Sequence, residues 1–206
     1  MTKISLIQAS KRFNKDWIFS NLDFNFDQGH HYAVIGNNGS GKSTLLQIIA
    51  GYGTLTKGKV AWEGHDDTTI FQDISFAAPY LELVEEFTTL EQFHFHTQFK
   101  PLQKQLNVES IIELIGLKKA ADKQIRYFSS GMKQRLKLAL AIFSDSPILL
   151  LDEPCSNLDQ EGYELYNHLI QAYALHKLII VGSNDLEEYK YCSQHLNIMD
   201  YKTTTV

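Results

Sequence analysis

The eight residues Gly36-Asn37-Asn38-Gly39-Ser40-Gly41-Lys42-Ser43 constrain this chain more than any other stretch of it. They follow the apolar run Tyr32-Ala33-Val34-Ile35 and precede Thr44 to Ala50, which reads as helix. Glycines let the backbone curl until successive N–H groups point to one place, and the start of a helix adds the positive end of its dipole. Strand, curled loop and helix in that order predict a site for phosphate oxygens. Lys42 is expected on the β- and γ-phosphates and the Ser43 hydroxyl on Mg²⁺, a hard cation that prefers oxygen ligands.

A second apolar run, Ile148-Leu149-Leu150-Leu151, ends on Asp152-Glu153. In open α/β sheets ligands bind at the carboxyl ends of the strands, so a buried strand ending on two acids delivers them to that crevice. Asp152 suits a water-mediated Mg²⁺ ligand and Glu153 the general base that orients and deprotonates an attacking water. An Asp-Glu pair after an apolar run is by itself often a solvated strand end. The phosphate loop gives this pair its meaning.

Short apolar runs beside polar turns recur, Leu178-Ile179-Ile180-Val181 among them, and read as parallel strands covered on both faces. Between them Val108, Ile111, Ile112 and Ile115 share one helical face, and Leu136, Ala139, Leu140 and Phe143 another, on a helix expected from about Met132. Phe24, Phe26 and Tyr32 alternate, and Thr56-Lys57-Gly58-Lys59 reads as a turn, so antiparallel strands are expected over Ile4 to Val60. The chain is thus expected to be α/β, one domain over 1–206 with a helical insertion at about 80–140. The tail from Lys202 to Val206 is expected to fray.

A net charge of −5 with 21% charged residues leaves no broad basic surface, which disfavours nucleic acid as a partner. Cys155 and Cys192 have no metal-ligand spacing and fit a reducing compartment, with Cys155 expected as a small packing residue. The start of the chain lacks the continuous apolar core of a signal peptide, and the apolar runs fall short of the ~20 residues of a membrane-spanning helix. Any membrane role is expected to go through a partner. His94 and His96, two apart on a helix, point to different faces and are not expected to be a metal pair.

Phe128-Ser129-Ser130-Gly131-Met132-Lys133-Gln134-Arg135 resembles the signature sequence of ATP-binding cassette (ABC) ATPases, and Ser156-Asn157-Leu158-Asp159 resembles their D-loop. Phe13 sits where that family places an aromatic against adenine, and Ser183-Asn184-Asp185 sits at its switch segment. The likeness covers nearly the whole chain and implies a RecA-like P-loop core with an antiparallel β subdomain and a helical subdomain. It implies ATP and Mg²⁺ as ligands. Nucleotide contacts are expected from Phe13, from Gly36 to Thr44 and from Ser129, Ser130, Gly131 and Asp159. Catalytic roles are expected for Lys42, Glu153 and Asn184, and metal ligation for Ser43 and Asp152. Implied partners are a second ATP-binding subunit, identical or not, closing head to tail over two nucleotides, and a transmembrane permease holding the chain on the inner, cytoplasmic face of the cell membrane. Ser129 also caps the helix it precedes, which makes that helix start an anion site in its own right.

Two positions depart from the pattern. Pro79 stands where the family has a glutamine touching Mg²⁺ and the attacking water, and neither Gln72 nor Gln92 falls in register to replace it. Asn184 stands where the family has a histidine; its amide donates a hydrogen bond but does not become cationic near neutral pH. Slow hydrolysis is expected. The other reading is an ATP-binding clamp or regulator whose hydrolysis is residual or supplied by a partner chain. A relative working on DNA or ribosomes is disfavoured, since such chains usually carry coiled-coil insertions or two cassettes. The compact length is similar to the small haem-exporter type of subunit, a likeness that names no substrate.

Overall fold

The computed structural model describes residues 2–66, 68–104 and 106–202. In chain order the elements are β1 (Lys3–Phe13), β2 (Asp16–Asp27), β3 (His31–Ile35), α1 (Lys42–Ile49), β4 (Lys57–Glu63), α2 (Ile70–Asp73), β5 (Ile74–Ala77), α3 (Thr89–Thr97), α4 (Val108–Leu114), α5 (Ser130–Phe143), β6 (Ile148–Asp152), α6 (Gln160–Tyr173), β7 (Leu178–Gly182), α7 (Leu186–Tyr189) and β8 (Gln194–Asn197). Five strands form a parallel sheet in the order β5-β6-β7-β3-β8. Three form an antiparallel sheet in the order β2-β1-β4.

The parallel strands are buried on both faces, and their alternation shows how. Ile148 and Leu150 of β6 and Leu178 and Ile180 of β7 point into a core shared with α1 and the antiparallel sheet. Leu149, Leu151, Ile179 and Val181 point the other way, into a core shared with α4, α5 and α6. Period-two alternation between two apolar cores is why these strands read as continuous hydrophobic runs. Phe24, Phe26 and Tyr32 pack ring to ring where the antiparallel sheet meets β3, with centroids 4.8 to 5.9 Å apart.

The expected helices form, with shifted starts. α1 begins at Lys42 rather than Thr44, and α5 begins at Ser130 rather than near Met132, because Ser129 accepts from the Met132 amide and closes the first turn there. α3 opens on a reciprocal capping box between Thr88 and Glu91, readable in the sequence as Thr-x-x-Glu. The Lys57-Gly58-Lys59 stretch is not a turn; it opens β4. Gly58 adopts φ 79° against the carbonyls of Ile7 and Gln8, where a Cβ would sit within 2.4 Å of Ile7 O, so the glycine marks an irregularity in the β1–β4 ladder. His94 is exposed, while His96 is bonded to Ser144 Oγ at 2.8 Å, so the two do face differently. Lys202 is anchored rather than frayed, its ammonium donating to Ile18 O and Ser40 O at 2.6 Å each; residues 203–206 lie outside the described residues.

Lys177 is buried at 1% exposure beneath the C-terminal end of α5, donating to Ile142 O at 2.9 Å and Ser144 O at 2.5 Å. A cation at the negative end of a helix dipole suits that place. Burial nevertheless pushes its pKa down to about 8, with Asp145 opposing and Lys100 adding to the shift. The folded value lies below the unfolded one, so the unfolded chain binds more protons between the two and stability rises with pH through that window. Lys177 should therefore contribute a rise in the urea midpoint between about pH 8 and 9.5, read as the difference between the parent and Lys177→Met in parallel titrations, because the buried Cys155 and Cys192 thiols, with raised pKa values, act in the opposite direction over the same range.

Candidate functional site

The phosphate loop joins β3 to α1 and forms a cradle with two tight glycine positions. Gly41 adopts φ 106°, and a Cβ there would lie 2.3 Å from Ile18 Cγ2; at Gly36, φ 149°, it would lie 2.7 Å from Ile198 Cγ2. Side chains on β2 and beside β8 therefore press the loop into its curl. Asn37, Asn38 and Gly39 are exposed, and Ser40 is buried with its hydroxyl unpartnered among the described residues.

Lys42, at 4% exposure, folds back into the cradle and donates to Gly36 O at 2.8 Å, Asn37 O at 3.3 Å and Asn184 Oδ1 at 3.4 Å. Asn184 Nδ2 in turn donates to Asn38 Oδ1 at 2.8 Å. The switch residue thus lies against the loop that the sequence reading assigns to the terminal phosphate. Asn184 is 142 positions from Lys42. Parallel pairing supplies the approach, since β7 lies beside β3 with Gly182 opposite Val34, and Ser183 N donates to Val34 O at 3.2 Å.

On the other side of β7, Gly182 pairs with Asp152 at the end of β6. A Cβ on Gly182 would stand 2.7 Å from Leu46 Cδ1 and 3.2 Å from Asp152 Oδ1, so its missing side chain leaves room for the carboxylate beside α1. Sequence reasoning missed this glycine. Its only signal is a glycine at the end of an apolar run, one strand over from the acids.

Asp152 is 1% exposed and neither of its oxygens has a hydrogen-bond partner among the described residues. Burial raises its pKa first of all, with the hydroxyls of Ser43 and Tyr80 and the Lys42 ammonium opposing and Glu153 adding to the rise. A buried carboxylate with no formed hydrogen bond among the described residues and a serine hydroxyl beside it fits a hard divalent cation that takes few protein oxygens and completes its shell with phosphate and water. Ser43 and Asp152 would hold that cation. Tyr80, next to Pro79, has its own pKa raised by burial and by Asp152 and has Gln47 within hydrogen-bonding reach. It is a neighbour of the site that the sequence reading did not single out.

Glu153 follows in the left-handed region, φ 43°, with its amide donating to Gly182 O at 2.9 Å. It lines a small open cavity with Asn38, Ser156, Tyr163, Ser183, Asn184, Asp185 and Glu188. Non-glycine residues pay for such a backbone, and where it persists it commonly belongs to a functional turn.

The signature lies elsewhere. Ser129, Ser130, Gly131, Met132, Arg135, Asn157, Leu158 and Asp159 line a separate cavity at the start of α5. Gly131 abuts Asn157 O, 3.1 Å from where its Cβ would be. Asp159 caps α6 through the Gly162 amide at 2.9 Å and faces Arg135 at 3.4 Å, so its carboxylate is already engaged. Phe13 is 52% exposed at the end of β1, the middle strand of the antiparallel sheet, with the Lys11 ammonium 4.8 Å above its ring. One chain thus brings together the loop, Asp152, Glu153 and Asn184, and holds the signature residues apart from them. Cys155 is buried, and burial together with Glu188 and Asp185 pushes its thiol pKa up, in keeping with a packing residue.

A parallel sheet with a phosphate loop at one strand end, an acidic pair at another and a second helix start presenting free amides defines a P-loop ATPase cassette. The profile of the ABC transporter family matches residues 19–156, and the chain belongs to that family. It is similar to the ABC transporter ATP-binding protein YybJ of Bacillus subtilis, 32% identical over 90% of this chain and 87% of that protein. It is also similar to the cytochrome c biogenesis ATP-binding export protein CcmA of Xanthomonas campestris, 35% identical over 78% of this chain and 76% of that protein. Among solved structures, a dimeric ATP-binding cassette in a post-hydrolysis state with ADP and Pi superposes with a TM-score of 0.82, over 95% of this chain and 94% of that one. At 22% identity that likeness shows the fold.

Two substitutions test the site by binding alone. Lys42→Met should weaken ATP binding by one to two orders of magnitude, roughly the loss expected for removing a desolvated charged partner of phosphate. Asp152→Asn should leave metal-free ATP binding intact and abolish the gain that Mg²⁺ gives, both read by calorimetry.

Proposed function

We propose that this chain is the ATP-hydrolysing subunit of an ABC transporter and that it turns ATP over slowly. The observation that carries the reading is the register Val34–Gly182–Asp152, which sets the buried, unpartnered Asp152 and the neighbouring Glu153 beside the phosphate loop. Lys42 and the loop amides, with Gly36 to Thr44 around them, bind the phosphates and orient the terminal one. Ser43 and Asp152 would hold Mg²⁺, which when bound would supply positive charge near the phosphates. Glu153 accepts a proton from the attacking water, and Asn184 donates a neutral hydrogen bond to the charge that develops. Ser129, Ser130 and Gly131 offer the free amides of α5 to the nucleotide of a second cassette, and Phe13 offers its exposed face to adenine.

Slowness follows from two side chains. Pro79 has no side-chain donor, and its carbonyl is taken by Lys137 at 2.6 Å. Asn184 brings no positive charge. A missing electrostatic contact of this kind is worth about 2.7–4 kcal/mol, or two to three orders of magnitude in rate. Gln92 does not stand in, because it is buried and accepts from the Val84 amide, and Gln72 is exposed on α2. These same residues favour a second reading, in which the nucleotide sandwich acts as a clamp and a partner cassette does most of the hydrolysis.

No helix among the described residues is long and apolar enough to cross a membrane. Coupling to transport therefore goes through a permease subunit on the inner face of the membrane, and the groove lined by Pro79 to Glu86, Lys133 and Lys137 is the surface we assign to it.

ATP turnover of the purified chain with Mg²⁺ tests the reading. Glu153→Gln should abolish turnover, and Asn184→His should raise it by about tenfold or more. Binding without hydrolysis in all three proteins, at concentrations that favour dimers, would establish the clamp instead.

A further inference from the structure

The turn that presents Glu153 is held by a group outside the assigned machinery. Glu153 leaves β6 at φ 43°, and the chain then reverses through Pro154, Cys155 and Ser156, with Ser156 N donating to Glu153 O at 3.0 Å. Inside that reversal the Cys155 amide is buried, and a buried N–H must find an acceptor. It finds one 33 positions away: Glu188 Oε1, at 2.7 Å.

Glu188 lies on α7, directly after the switch segment, and is 3% exposed. Its backbone is fixed independently. The Tyr166 hydroxyl of α6 donates to Glu188 O at 2.7 Å and meets the Tyr191 hydroxyl at 2.5 Å, and Glu188 N donates to Asp185 O at 3.1 Å. Its carboxyl also has the Ser183 side chain within reach, and Ser183 Oγ accepts from Asp185 N at 2.9 Å. One carboxyl group therefore touches both the turn behind Glu153 and the segment carrying Asn184. Burial raises its pKa to about 7, with the charges of Asp185 and Glu153 adding to the rise and Ser183 and the Cys155 amide opposing it. No described cation is paired with it within 4 Å. A costly buried acid whose one backbone partner is the Cys155 amide is placed to hold geometry.

We infer that Glu188 is a positioning residue for hydrolysis, its carboxyl bonding the turn behind the base to the switch segment so that Glu153 and Asn184 are presented to the terminal phosphate as one rigid unit. The role rests on Glu153 being the base, and the link itself is measurable without hydrolysis. Removing the acceptor frees the Cys155 amide and lets the turn open locally, while Lys42 keeps its contacts with Gly36 O and Asn37 O inside the phosphate loop. Turnover then falls through misalignment and ATP affinity does not.

The test uses the full chain carrying Cys192→Ser, which leaves Cys155 as its one thiol, and compares Glu188 with Glu188→Ala, Glu188→Met and Glu188→Gln. Methionine fills the volume without an acceptor, so it reports even where alanine fails to fold. Glutamine keeps an acceptor for the Cys155 amide. Iodoacetamide labelling of Cys155 under native conditions should accelerate by about tenfold or more in the alanine and methionine variants and stay near the parent rate in glutamine. In the same proteins kcat should fall on the order of 10- to 100-fold in alanine and methionine, with ATP dissociation constants within about threefold of the parent and most of kcat kept in glutamine. Unchanged labelling in Glu188→Met overturns the link, whatever turnover does. Faster labelling with kcat unaltered, or a kcat loss as large in glutamine as in methionine, overturns the positioning role. If the parent turns ATP over and Glu153→Gln leaves that turnover intact, the base assignment fails, while the labelling result still stands or falls by itself.

Discussion

Three residues from three strands lie side by side at the carboxyl end of the sheet: Val34, Gly182 and Asp152. Parallel pairing makes each neighbour's position a consequence of the last, so a one-residue slip would turn Asp152 to the other face and bury Leu151 where the carboxylate now stands. The phosphate loop leaves from one side of this row, the switch segment from its middle and the catalytic pair from the other side. Everything the site does depends on that register. It is held in turn by two apolar cores of alternating side chains, which no single polar contact in the site could replace.

Within this frame the polar groups divide by burial. Lys42 satisfies itself on loop carbonyls and on Asn184, while Asp152, with the Ser43 and Tyr80 hydroxyls near it, has no geometrically formed hydrogen bond among the described residues. Burying a charge without a partner is costly, and a bound cation would offset that cost. Glu188 shows the same logic one layer back, where an acid buried at some expense supplies the acceptor that a reversing backbone needs.

The signature helix illustrates the limit of one chain. Its free amides at Ser130 and Gly131 are the best remaining anion site, yet they open into a cavity of their own with Asn157 and Asp159. Under the proposed function, a second cassette would supply the nucleotide for that helix start.

Much was legible from the sequence because it is local. The phosphate loop, the acidic pair, the twofold alternation of β6 and β7 and the helical faces are set by neighbours within a few positions, where steric limits on φ and ψ, hydrogen-bond closure and apolar periodicity act directly. Boundaries were less legible: Ser129 moved the start of α5 by capping, and Gly58 joined a strand because the carbonyls of β1 left no room for a side chain. Gly182 was signalled only by its place at the end of an apolar run, and the roles of Tyr80, Lys202 and Glu188 carried no local signal. Each depends on a partner from a distant part of the chain, and only the order β5-β6-β7-β3-β8, a product of which apolar faces could be buried together, decided who those partners were. The chain's own residues thus determined the chemistry on offer, and the tertiary structure decided which of those groups meet, because long-range contact is a property of packing and not of spacing.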